Sequence, residues 1–175
     1  MNTRLLLLAP IVAALIASGC AKKETAPAGA AAGAAPAAKA TAAAPAPKAG
    51  PRVVEITAND QMKFSLATIE AKAGEELKIV LTNVGMMPKE AMGHNWVLLK
   101  AGSDGMAFST AAMAAKDTDY IPAALKGQII VHTALIGPRK SDEVTFTVPP
   151  AGEYPYLCSF PAHFVVGMKG TLISK

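Results

Sequence analysis

Three side chains with metal-binding chemistry stand close together near the end of the chain: the thiol of Cys158, the imidazole of His163 and the thioether of Met168, with four residues in each interval. Thiolate and thioether are soft donors, and imidazole is borderline. A Cys and two His around one metal, with a weak axial Met, is the donor set that suits an electron-transfer copper. Residues 156–170 thus offer three donors, and a second imidazole has to come from elsewhere. Only His94 and His132 remain in the chain. Two imidazoles and a thiolate also suit zinc, but no obvious fourth strong ligand is at hand, which makes zinc the weaker choice.

The segments that must position these donors read as short strands separated by turn signals. Candidates cover residues 53–57, an irregular 63–69, 77–82 after the Gly74 turn, 95–100, 129–131, 144–148 ahead of Pro149 and Pro150, 154–158 and 168–174. This pattern predicts an antiparallel β-sandwich of seven or eight strands. Residues 103–116 break it. Rich in Ala and Met and opened by Ser103 or Asp104 as a cap, they predict one short helix in a long connection outside the sheets.

The amino end is of another kind. Arg4 precedes an apolar run over residues 5–17, too short for a membrane span of ~20 residues, and Ser18-Gly19 stand before Cys20. Residues 1–19 are read as a signal peptide. Small residues directly before a Cys resemble a lipoprotein cleavage box, with Cys20 as the acylated residue, although Ala17 departs from the commoner Leu. Ordinary secretory cleavage or an uncleaved anchor is the alternative. Residues 20–51 are almost wholly Ala, Pro, Gly and Lys, a composition that cannot bury a core and predicts a flexible tether. Residues 52–175 then form one domain, with 12 basic and 12 acidic side chains. The net charge of +4 belongs to the leader and tether, so the domain carries no electrostatic case for nucleic acid. The only cysteines are Cys20 and Cys158. With lipid on Cys20, Cys158 has no disulfide partner, and metal ligation explains a lone thiol in an oxidising compartment.

At Gly93-His94-Asn95 the residues carry a resemblance. Asn59-Asp-Gln-Met-Lys-Phe64, Pro88-Lys-Glu-Ala-Met-Gly-His-Asn-Trp-Val-Leu98, Tyr120, His132-Thr-Ala-Leu-Ile-Gly137, Asp142-Glu-Val-Thr-Phe146 and Cys158-Ser-Phe-Pro-Ala-His163 through Met168-Lys-Gly-Thr-Leu172 resemble the azurins, bacterial blue copper proteins of the cupredoxin family. With the leader and tether, the chain is similar to their lipid-anchored forms in Gram-negative bacteria. The resemblance implies an all-β, cupredoxin-like Greek-key β-sandwich holding one copper. His94, Cys158 and His163 would be equatorial ligands, Met168 the long axial one and the Gly93 carbonyl a weak opposite contact. Asn95 would tie the ligand-bearing loops together, and His132 stays outside the site. Met62, Met92 and Met106, with Phe160, Pro161 and Ala162, would form an apolar docking patch around His163, although methionines are more often core filler. Trp96 is expected in the core.

Function follows as an expectation: no enzyme, but an electron carrier between partners such as c-type cytochromes and a terminal reductase. It would be anchored through Cys20 in the cell envelope, with the domain in the periplasm or at the surface. Ala21 after Cys20 points to the outer membrane by the enterobacterial sorting rule. Copper storage or delivery is the alternative, and a surface-displayed binding protein a third class. Three departures from the azurins stand out. Four residues separate His163 from Met168, as in the auracyanins and rusticyanin, where azurins have three; the disulfide cysteines are missing; and Asn83 stands where azurins often have a buried, titrating His.

Overall fold

The computed structural model describes residues 50–175, so the expected signal peptide (1–19), the expected lipidation at Cys20 and all but the last two positions of the expected tether lie outside the described residues. Strands β1 (Arg52–Asn59), β2 (Lys63–Phe64), β4 (Glu76–Asn83) and β7 (Ser141–Thr147) form one sheet in the order β2-β1-β4-β7. The other sheet, ordered β3-β9-β8-β5-β6, contains β3 (Thr68–Ala71), β5 (Val97–Leu99), β6 (Ile129–His132), β8 (Gly152–Leu157) and β9 (Lys169–Ser174). Period-two alternation sets the inner face. Ile56 and Ala58 of β1 and Leu77, Ile79 and Leu81 of β4 are fully buried, and Leu172 of β9 meets them from the other sheet. Trp96 sits among them, its ring 5.3 Å from Tyr156 and 6.2 Å from Phe146.

Among the described residues there are nine strands rather than seven or eight. The irregular segment 63–69 is two strands in different sheets, because the chain changes sheets at residues 65–67. Ser65 N–H donates to the Thr57 carbonyl (2.9 Å) on one side, and Thr171 N–H donates to the Ala67 carbonyl (2.9 Å) on the other. Tyr156 Oη donates to the Leu66 carbonyl between them (2.6 Å). The sandwich is also not purely antiparallel: β1 runs parallel to β4, and β3 parallel to β9. Alternation reports which face a residue takes and carries no information on strand direction.

The helix in the long connection, α2 (Gly105–Ala112), is shorter than expected; Asp104 caps it, accepting from Met106 N (2.8 Å) and Ala107 N (3.1 Å). It buries Phe108, Ser109 and Ala112 and shields a second cluster of Val97, Leu99, Phe108, Ile121, Leu157 and Phe164. This is why β5 is buried on both faces. A single helical turn, α1 (Lys89–Met92), precedes His94. Among the described residues no helix is long and apolar enough to cross a membrane.

The ends of the domain meet away from the ligand loop. Arg52 Nη2 donates to the Glu70 carbonyl (2.7 Å), and Lys175 Nζ pairs with the Glu70 carboxylate (2.9 Å). β8 climbs from this pole to Cys158, and β9 returns to it from Met168.

Candidate metal centre

His94 is positioned by its backbone. It forms an isolated bridge with Ile136, donating through its N–H (3.1 Å) and accepting through its carbonyl (2.8 Å). Gly93 before it lies so close to its surroundings that a Cβ would stand 2.8 Å from the Lys89 carbonyl oxygen and 3.0 Å from Leu135 Cγ. Only glycine fits there. Cys158 follows the last residue of β8, and its N–H donates to the Met168 carbonyl (3.1 Å), so the ends of the ligand loop are tied as a rung between β8 and β9. Asn95 joins the two halves. Its Oδ1 accepts from Ser159 N–H (2.8 Å), and its Nδ2 donates to Ser159 Oγ (2.8 Å), all in buried surroundings.

These supports bring one donor atom each from His94, Cys158 and His163 within 4.8 Å of one another. Cys158 Sγ lies 3.4 Å from His163 Nδ1, and the two imidazole rings are 5.0 Å apart. All three residues are buried, as is Met168. Burial sets their protonation. It lowers the pKa of His94 to about 4, offset in part by the Asp60 charge and the Asn59 carbonyl, and lowers His163 to about 4 with help from His94. It pushes the Cys158 thiol up to about 12, against the backbone N–H groups of Asn95 and Phe160. The metal-free site at neutral pH therefore holds two neutral imidazoles and a thiol.

The residues fit a soft metal. Both ring nitrogens of His94 are buried without a hydrogen-bond partner in the protein. A buried polar atom left in that state costs about 1–3 kcal/mol, a penalty that ligation removes for the one ring nitrogen that coordinates. The donors brought together are a thiol and two imidazoles, with Met168 buried at the far end of the same loop, and a fourth strong ligand of the kind a closed zinc site requires is lacking among the described residues.

Fold and site together define a β-sandwich protein for one mononuclear soft-metal centre. A family model described as copper binding proteins, plastocyanin/azurin family, matches residues 52–175, and the chain belongs to that family. It is 41% identical over 132 residues to an azurin of Pseudomonas denitrificans, covering 70% of this chain and 97% of that protein. With an azurin of Pseudomonas aeruginosa the identity is 40% over 132 residues, covering 70% and 84%. Among solved structures, auracyanin A of Chloroflexus aurantiacus matches with a TM-score of 0.65 and 30% identity over 72% of this chain and 100% of that one. The dithionite-reduced auracyanin of Roseiflexus castenholzii gives 0.64 and 29% over 70% and 96%. The centre is thus a copper site.

The expected docking patch is only partly a surface. Met106 is 49% exposed and Ala162 is exposed, whereas Pro161, Met62 and Met92 are half-buried, Met62 against the main core. Phe160 does not belong to it: the ring is buried between His163, at 4.7 Å, and Tyr120, at 4.9 Å. His132 is exposed on β6, away from the cluster. Sequence reading missed Ser159, although a short polar residue inside the apolar run 156–160 signals a buried hydrogen bond. It also missed the exposed apolar side chains of Met86, Met87, Val165 and Val166.

Proposed function

We propose that the protein is a membrane-tethered single-electron carrier of the bacterial cell envelope, in which His94, Cys158 and His163 would hold copper, with the Met168 thioether and the Gly93 carbonyl as weaker donors. The observation that carries this reading is the convergence of three donors of the right softness in a buried pocket, with the nitrogens of His94 otherwise unpaired. Bound copper would supply a one-electron couple and no bond-making chemistry. The protein's part is to keep the donors nearly fixed in both oxidation states, which the Asn95–Ser159 pair and the Cys158–Met168 rung do from two sides. His163, backed by the Phe160 ring and followed by exposed loop, is the natural exit for the electron. Apolar surface at Ala162, Val165 and Val166 lets a partner come close without stripping polar groups of water. Partners would be redox proteins such as c-type cytochromes or a terminal reductase, reached from a membrane to which lipid on Cys20 holds the chain.

Storage or delivery would call for donors that exchange readily with solvent, whereas Cys158 is fully buried. Copper-loaded protein should show an intense thiolate-to-copper absorption that Cys158→Ser abolishes. An unchanged blue spectrum in that variant would end the proposal.

A further inference from the structure

We propose that Gly167 and Phe164 are positioning residues that set the apposition of the His163 and Met168 side chains; this rests on the copper reading above. The backbone of the loop carries the argument. Met168 N–H donates to the His163 carbonyl (2.9 Å), Gly167 N–H donates to the Phe164 carbonyl (3.1 Å), and Gly167 has a φ of 103°. A six-to-one hydrogen bond enclosing a five-to-two bond, with positive φ at the penultimate residue, is the Schellman return that ends many helices. Its recurrent side-chain contact joins the first and last residues, which here are His163 and Met168. The interval of four residues between these donors is the interval that this return requires. A loop shorter by one residue has to close by the simpler form with a single bond.

Two residues hold the return in place. Nothing lies within 4 Å of a Cβ built on Gly167, so glycine is needed there for its φ and not for space. Phe164, the second residue, turns inward among Phe108, Ile121 and Leu157. Gly105, the first residue of α2, approaches its ring so closely that a Cβ would stand 2.8 Å from Phe164 Cε2, and Lys169 Nζ lies 4.4 Å from the ring centroid. Val165 and Val166 stand in solvent at 64% and 49% exposure. The loop is gripped at Phe164, bent at Gly167 and free between them.

Cys158 opens the loop, so residues 158–175 can be synthesised as a peptide and joined to the preceding chain by ligation at the Cys158 thiol. Gly167→Ala is then made with alanine of either hand. The D form adopts positive φ without strain and should keep the wild-type copper spectrum, midpoint potential and affinity. The L form should shift the thiolate-to-copper band and the midpoint potential, with the circular dichroism of the metal-free protein unchanged. Indistinguishable L and D forms would overturn the role of Gly167. In recombinant protein, Phe164→Leu should shift the band and the potential, whereas Val165→Ala and Val166→Ala should leave both in place; a Phe164→Leu variant altered only in melting temperature would overturn the role of Phe164. Wild-type protein lacking any thiolate-to-copper band would sink the copper reading itself, a failure distinct from either of these.

Discussion

At neutral pH the metal-free protein keeps Cys158 as a thiol and both His94 and His163 as neutral rings, because burial disfavours every charged form in the pocket. Copper needs a thiolate, so loading should release about one proton per metal, supplied by Cys158. Calorimetry in buffers of different ionisation enthalpy counts it, and a release of two or more would contradict the neutral imidazoles. The same rings make the metal-free protein sensitive to acid. Their pKa is 6.5 in an unperturbed chain and about 4 when folded, so below 6.5 the unfolded state takes up protons that the folded state refuses. Stability should be full above pH 6.5 and fall as pH drops towards about 4, which urea unfolding across that range measures. Asn83 bears on the potential. It is fully buried, with Oδ1 accepting from Gly85 N–H at 2.8 Å, and it has no proton to gain or lose. Voltammetry between mildly acidic and mildly alkaline pH should therefore show no large sigmoidal shift in midpoint.

Among the elements, the two loops and their clasp decide the site. Asn95→Ala would leave the Ser159 N–H and Oγ buried without these partners, and should destabilise the protein by about 2–3 kcal/mol in urea unfolding; a loss within experimental error would mean that the clasp is incidental. Part of this arrangement was legible beforehand, because donor chemistry is written in residue types: Cys158, His163 and Met168 announce themselves by softness and spacing, whereas the choice of His94 over His132 came from the resemblance to the azurins. The illegible parts involve partners distant in sequence. Two residues of β2 and four of β3 are too few to show a period, so the change of sheet at residues 65–67 was hidden. Phe160 was misjudged for a similar reason. The chain places an aromatic ring beside exposed loop residues, but Tyr120, forty positions earlier, is what closes over it.

On the scale of the whole domain, within the described residues, the proposed ligands and the domain ends at Arg52 and Lys175 lie at opposite poles. Every proposed ligand and the residues that brace it fall within the described residues, so a fragment beginning at Gly50 should fold, take up one copper and show the spectrum of the full chain. Loss of the thiolate-to-copper band in that fragment would mean that the preceding residues contribute to the site. The meeting of Arg52 and Lys175 at Glu70 has a further consequence. Ends held this near one another can be joined by a short linker and the chain reopened elsewhere, or the domain can be set as an insert into a loop of another protein. In either arrangement the splice falls at the pole remote from His163, which leaves a portable redox module whose working face points away from its host.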